Sequence, residues 1–124
     1  MRFPGFGGTA LLYPVLLTEG TRRGLPLERI VDLACTAPAR AYGLLPRKGA
    51  ITVGGDADLA IVDMTTEEPV TAERLLSAQE YTPLEGIKLV GWPVRTLLRG
   101  RTVYRDGALV GEPAGDYLTR PVGA

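Results

Sequence analysis

A chain of 124 residues, 45% apolar and 23% charged, is long enough to bury a real core, and this ordinary composition excludes disorder over most of its length. Its 14 basic and 14 acidic residues cancel, and Lys and Arg cluster nowhere, so the expected partners include neither nucleic acid nor a membrane surface. There is no histidine and a single cysteine, Cys35, which excludes an intrachain disulfide, a Ser-His or Cys-His nucleophile and any zinc site not made almost wholly of carboxylates. No catalytic residue and no metal ligand is therefore expected in this chain. The apolar run 10–17 falls far short of the roughly 20 residues of a membrane span, and a lone cysteine suits a reducing compartment, so the expected location is the cytoplasm.

In chain order, Phe3-Pro4-Gly5-Phe6-Gly7-Gly8 is a Gly-rich loop that feeds a helix, predicted from the spacing of Leu12, Val15 and Leu16 and ended by Gly20 and Gly24. Such a loop can offer backbone N–H groups to a polar ligand, or it can be no more than the turn that starts a helix. No Gly-Lys-Ser/Thr follows, so it is not a nucleotide loop. After Pro26, the residues Leu27, Ile30, Val31 and Ala34 form one apolar helical stripe, and Cys35 beside it reads as a small buried hydrophobe. Thr36 and Pro38 predict the cap of a second short helix through Tyr42, stopped by Gly43 and Pro46.

From Lys48 to Asp63 the spacing changes from helical to strand-like. Ile51 and Val53 predict one strand, Gly54-Gly55 a turn, and Leu59, Ile61 and Val62 a second strand, with Asp56, Asp58 and Asp63 as turn and strand-end residues. Thr65 to Pro69 is a polar connection, Thr71 caps a short helix carrying Leu75 and Leu76, and Glu85 reads as a structural carboxylate. Val94–Leu98, Thr102–Tyr104 and Ala108–Val110 predict a three-strand meander whose arginines line a solvated face, and 111–124 is a Gly/Pro-rich tail anchored by Tyr117 and Leu118.

Several of these passages together resemble one family. The run Gly49-Ala50-Ile51-Thr52-Val53-Gly54-Gly55-Asp56-Ala57-Asp58-Leu59-Ala60-Ile61-Val62-Asp63 is similar to the strand pair that closes metal-dependent amidohydrolases. Leu16-Leu17-Thr18-Glu19-Gly20, Pro38-Ala39-Arg40-Ala41-Tyr42-Gly43-Leu44 and Pro83-Leu84-Glu85-Gly86 resemble the cyclic amidase branch, which holds dihydroorotase, dihydropyrimidinase or hydantoinase, and allantoinase. Val110-Gly111-Glu112-Pro113 with Tyr117-Leu118 leans toward the hydantoinase side.

The resemblance implies an α/β chain: residues 1–44 as the closing loop and last helices of a (β/α)8 barrel, 45–110 as the C-terminal strands of a small β-sandwich, and 111–124 as a tail. It implies the C-terminal part of a hydrolase acting on a small cyclic amide, in which zinc or another divalent metal is held by the missing N-terminal barrel segment or a partner chain. Of this chain's residues it implies a substrate loop at Pro4, Gly5, Phe6 and Gly7, in a homo-oligomer. The alternative reading is a non-catalytic interaction or assembly module related to these enzymes.

Overall fold

The structure is a computed structural model that describes residues 6–119 and mixes helix with sheet. The chain divides into two units, each made of two separated stretches: the residues up to Pro26 with Val62–Trp92, and Leu27–Ile61 with the residues from Pro93 onward. None of its described helices is long and apolar enough to cross a membrane.

In the first unit a single tight turn, Thr9–Leu11, runs directly into α1 (Leu12–Arg22). Helical geometry thus begins three residues before Leu12, and the inward face is Leu11, Pro14, Leu17 and Thr18. The predicted stripe is one residue out of phase: Leu12 is 54% exposed, while Val15 only flanks the core. Gly20 is buried inside α1 and does not end it. The end comes at Gly24, whose N–H donates to the Thr21 carbonyl (3.0 Å) while the Leu25 N–H donates to that of Gly20 (2.9 Å), which satisfies the last carbonyls of the helix.

Thr18, buried on α1, accepts from the Val90 N–H at 3.0 Å. The core of this unit gathers Leu11, Val70, Leu75, Leu89 and Trp92, with Val15 and Leu84 against them. The predicted polar connection contains a two-residue strand: with β1 taken as Leu59–Asp63, Glu68–Pro69 is β2 and pairs antiparallel with β3 (Lys88–Leu89). The Thr71 hydroxyl accepts from the Arg74 N–H at 3.3 Å, but the turn it stands before, Glu73–Leu75, begins after Ala72 and ends before Leu76, so Thr71 lies one residue outside the expected cap. Leu75 is buried there and Leu76 is exposed. Glu85 is structural, its carboxylate accepting from the Ala72 N–H at 2.9 Å.

In the second unit the two predicted helices are one helical run: α2 (Leu27–Val31), a widened π-type turn (Asp32–Thr36) and α3 (Ala37–Ala41). Thr36 has helical backbone angles and caps nothing; its hydroxyl donates to the Gly49 carbonyl at 2.7 Å. Of the predicted stripe only Ile30 is fully buried, with Leu27 and Val31 exposed and Cys35 only partly covered.

The predicted strand at Ile51–Val53 is absent. Its alternation is right for a strand, but a strand needs a ladder, and among the described residues this stretch has none: Ile51 is 88% and Val53 109% exposed. The segment closes instead as a loop, the Asp56 N–H donating to the Arg47 carbonyl at 2.9 Å. The second predicted strand forms as β1, with Leu59 half-buried.

The meander forms as β4 (Trp92–Leu98), β5 (Arg101–Arg105) and β6 (Ala108–Leu109), in a sheet ordered β1-β4-β5-β6. Thr96 pairs with Tyr104 and Leu97 with Thr102, so the β4–β5 ladder slips between Thr96 and Leu97. Both hairpins turn on a pair of positive-φ residues, Arg99-Gly100 and Asp106-Gly107, the backbone twist that two-residue hairpin turns require.

Candidate functional site

The sequence nominated Pro4, Gly5, Phe6 and Gly7. Pro4 and Gly5 lie outside the described residues. Phe6 is 50% exposed and its ring edge lies against Gly8, whose carbonyl accepts from the Leu11 N–H (3.0 Å) and so opens the helical run.

Gly7 is where the loop is held. Its N–H donates to the side-chain carbonyl of Gln79, and a Cβ at Gly7 would stand 2.5 Å from the Ser77 hydroxyl oxygen and 3.2 Å from the Ser77 Cβ. Gly7 therefore needs to be glycine for close approach. The Gln79 N–H donates in turn to the Ser77 hydroxyl at 3.2 Å, so the receiving turn is closed on itself. Sequence reasoning missed Ser77 and Gln79, because 72 residues separate Gly7 from Gln79 and no local pattern links them.

The other concentration of charge is the loop that the sequence read as turn and strand-end structure. Lys48 Nζ is 2.7 Å from Asp56 Oδ2 and also pairs with Asp58, Arg47 Nε reaches Asp56 at 2.9 Å, and Asp58 accepts the Arg99 N–H at 2.7 Å. The Arg99 guanidinium pairs with Asp116 at 2.6 Å, which ties the tail to the β4–β5 turn. At the end of β1, Asp63 accepts from the Thr65 N–H (2.7 Å) and hydroxyl (2.6 Å). All three aspartates thus have the structural roles expected of them.

Burial opposes the Lys48 ammonium, but hydrogen bonds and charges from Asp56 and Asp58 outweigh it and raise its pKa. The hydrogen bond from Lys48 lowers Asp56, with Arg47 adding to it. Burial works to raise Asp58, and Lys48 with the Arg99 N–H overrides it to give a net lowering. Hydrogen bonds from Thr65 and Thr66 hold Asp63 far below the usual carboxylate range.

The signs follow. The depressed aspartates stabilise the fold above about pH 4, their unfolded range, and lose this as pH falls through their folded values; Lys48 stabilises it below about pH 10.4 and loses this as pH rises through its raised value. The urea midpoint should therefore fall between about pH 5 and about pH 2, and Lys48→Met, which removes the shared partner, should shrink that fall. Identical pH dependence in both proteins would refute the coupling.

No group of three or more His, Cys, Asp or Glu among the described residues could hold a metal ion. The carboxylates that do converge, Asp56 and Asp58, are taken up by Lys48, Arg47 and the Arg99 N–H, so this donor set does not fit a divalent cation.

The chain belongs to the amidohydrolase family, whose model matches residues 7–103. Within that family its relatives are cyclic amidohydrolases. It is 44% identical over 108 residues to the D-hydantoinase of Geobacillus stearothermophilus, covering 86% of this chain and 23% of that one. It is 43% identical over 115 residues to the allantoinase of Rubrobacter xylanophilus, covering 92% and 25%. The solved L-hydantoinase (dihydropyrimidinase) of Arthrobacter aurescens superposes with a TM-score of 0.74 at 40% identity, covering 80% of this chain and 22% of that structure. The chain spans about a quarter of the length of the curated relatives it matches.

Proposed function

We propose that this chain is the C-terminal portion of a cyclic amidohydrolase, an enzyme that hydrolyses a ring C–N amide bond. In this reading Pro4–Gly7 is the substrate loop, residues 1–44 close the barrel, 45–110 belong to a small β-sandwich and 111–124 is its tail. The observation that carries it is identity above 40% to both a hydantoinase and an allantoinase over nearly the whole chain. Zinc or another divalent metal is held outside this chain, since the carboxylates that converge here, Asp56 and Asp58, are already paired with Lys48 and Arg47. The working enzyme is a cytoplasmic homo-oligomer.

The test is a chimera in which this chain replaces the aligned quarter of the Geobacillus stearothermophilus D-hydantoinase. The chimera is expected to open the ring of hydantoin or allantoin, while the chain alone turns over neither. A folded chimera inactive on every cyclic amide offered overturns the reading, and so does turnover by the chain alone. Stable binding of the remaining three-quarters of the enzyme with no turnover identifies an assembly module instead.

A further inference from the structure

We propose that Gln79 is a positioning residue for the Gly-rich loop: its side-chain carbonyl fixes Gly7, and with it Phe6, where a cyclic substrate is held. The inference rests on reading this loop as the substrate loop.

Phe6-Gly7-Gly8 is a stretch with little conformational restraint of its own, since glycine has more backbone freedom to lose than any other residue. Ordering it costs backbone entropy at every residue, so a loop that must meet a ligand in one geometry needs anchors. On one side the anchor is the tight turn that runs into α1, through the Gly8 carbonyl and the Leu11 N–H. On the other it is Gln79, the hydrogen-bond acceptor for Gly7, with Ser77 in van der Waals reach of the Gly7 Cα.

The seat is itself firm, because Ser77 closes the turn on the Gln79 N–H and lies two residues beyond Leu75 of the core. The Gly7 donor is thereby committed to the protein. What the loop presents outward is the half-exposed ring of Phe6, a flat apolar surface suited to the face of a small planar ring. Gln79 then acts on substrate at one remove, by holding the residue next to that ring.

Two variants separate positioning from bulk. Gln79→Leu keeps the size and removes the acceptor, whereas Gln79→Glu keeps an acceptor oxygen in place. In this chain, Gln79→Leu should speed hydrogen exchange of the Gly7 N–H by about tenfold, as expected for one lost hydrogen bond, and Gln79→Glu should restore its protection. In the chimera, Gln79→Leu should raise KM for the cyclic amide by about tenfold with kcat within about twofold, and Gln79→Glu should recover most of that loss. Unchanged exchange at Gly7 in Gln79→Leu overturns the positioning role whatever the activity does. Faster exchange with an unmoved KM overturns instead the assignment of the loop to substrate, so the two failures are distinct.

Discussion

Gly49→Ala is expected to cost the second unit about 2–4 kcal/mol. Gly49 has φ +88°, and a Cβ there would stand 2.3 Å from the Cβ of Ala39 and 2.9 Å from the Cys35 carbonyl oxygen. Neither atom can step aside: Ala39 is buried on α3, and the Cys35 carbonyl belongs to the widened turn of the same helical run. The backbone penalty for a positive φ is on the order of 1 kcal/mol, and overpacking adds about 1–3 kcal/mol.

Gly54 is a built-in control, since it has the same φ of +88° with nothing within 4 Å of its would-be Cβ. Gly54→Ala should lose only the backbone share, about 1 kcal/mol. Urea denaturation of the two variants side by side separates the terms. Equal losses would mean that the contact with α3 carries no energy.

Trp92→Ala is expected to cost the first unit about 3–5 kcal/mol, the range for emptying a large aromatic site. Trp92 is buried among Leu11, Val70, Leu75 and Leu89, and its indole N–H donates to the Leu89 carbonyl at 2.9 Å. Arg74 lies over the ring at 4.2 Å while pairing with Glu68 at 2.9 Å, so the tryptophan also seats a cation at the rim of the core. Trp92→Phe keeps most of the apolar contact and strands the carbonyl, for a smaller loss of about 1–2 kcal/mol. Because Trp92 is the chain's only tryptophan, circular dichroism must follow the unfolding. A loss under about 1 kcal/mol for the alanine variant would remove Trp92 from the core.

What the sequence made legible divides by range. The meander could be read because its turns are local chemistry: Arg99-Gly100 and Asp106-Gly107 supply the positive φ values that bring neighbouring strands together. Ile51–Val53 has the same alternation, yet pairing depends on a distant partner that alternation cannot reveal, and the segment closes on Arg47 instead. On α1 the periodicity was sound and the phase was not, because the tight turn at Thr9–Leu11 starts the helix early.

The candidate site divides in the same way. Phe6 and Gly7 were nominated by the family resemblance together with the local glycine content, both of which are contiguous in the sequence. The reason glycine is required at Gly7, contact with Ser77, depends on a fold that joins the two ends of the first unit. The family resemblance was legible because it sits in contiguous motifs, and the match over residues 7–103 covers most of them.

The widened turn at Asp32–Thr36 has a geometric consequence. Ile30 and Ala39 are both buried, although residues nine apart on a regular α-helix point about 180° away from each other. One extra residue taken up by a π-type turn delays everything after it by about 100°, which brings the pair to within about 80°. The turn thus works as a phase corrector, letting one helical run use a single side for both residues. A one-residue deletion within this turn would remove the extra residue and leave Ile30 and Ala39 eight apart on a regular helix, still within about 80°, so the seat of Gly49 would keep its side.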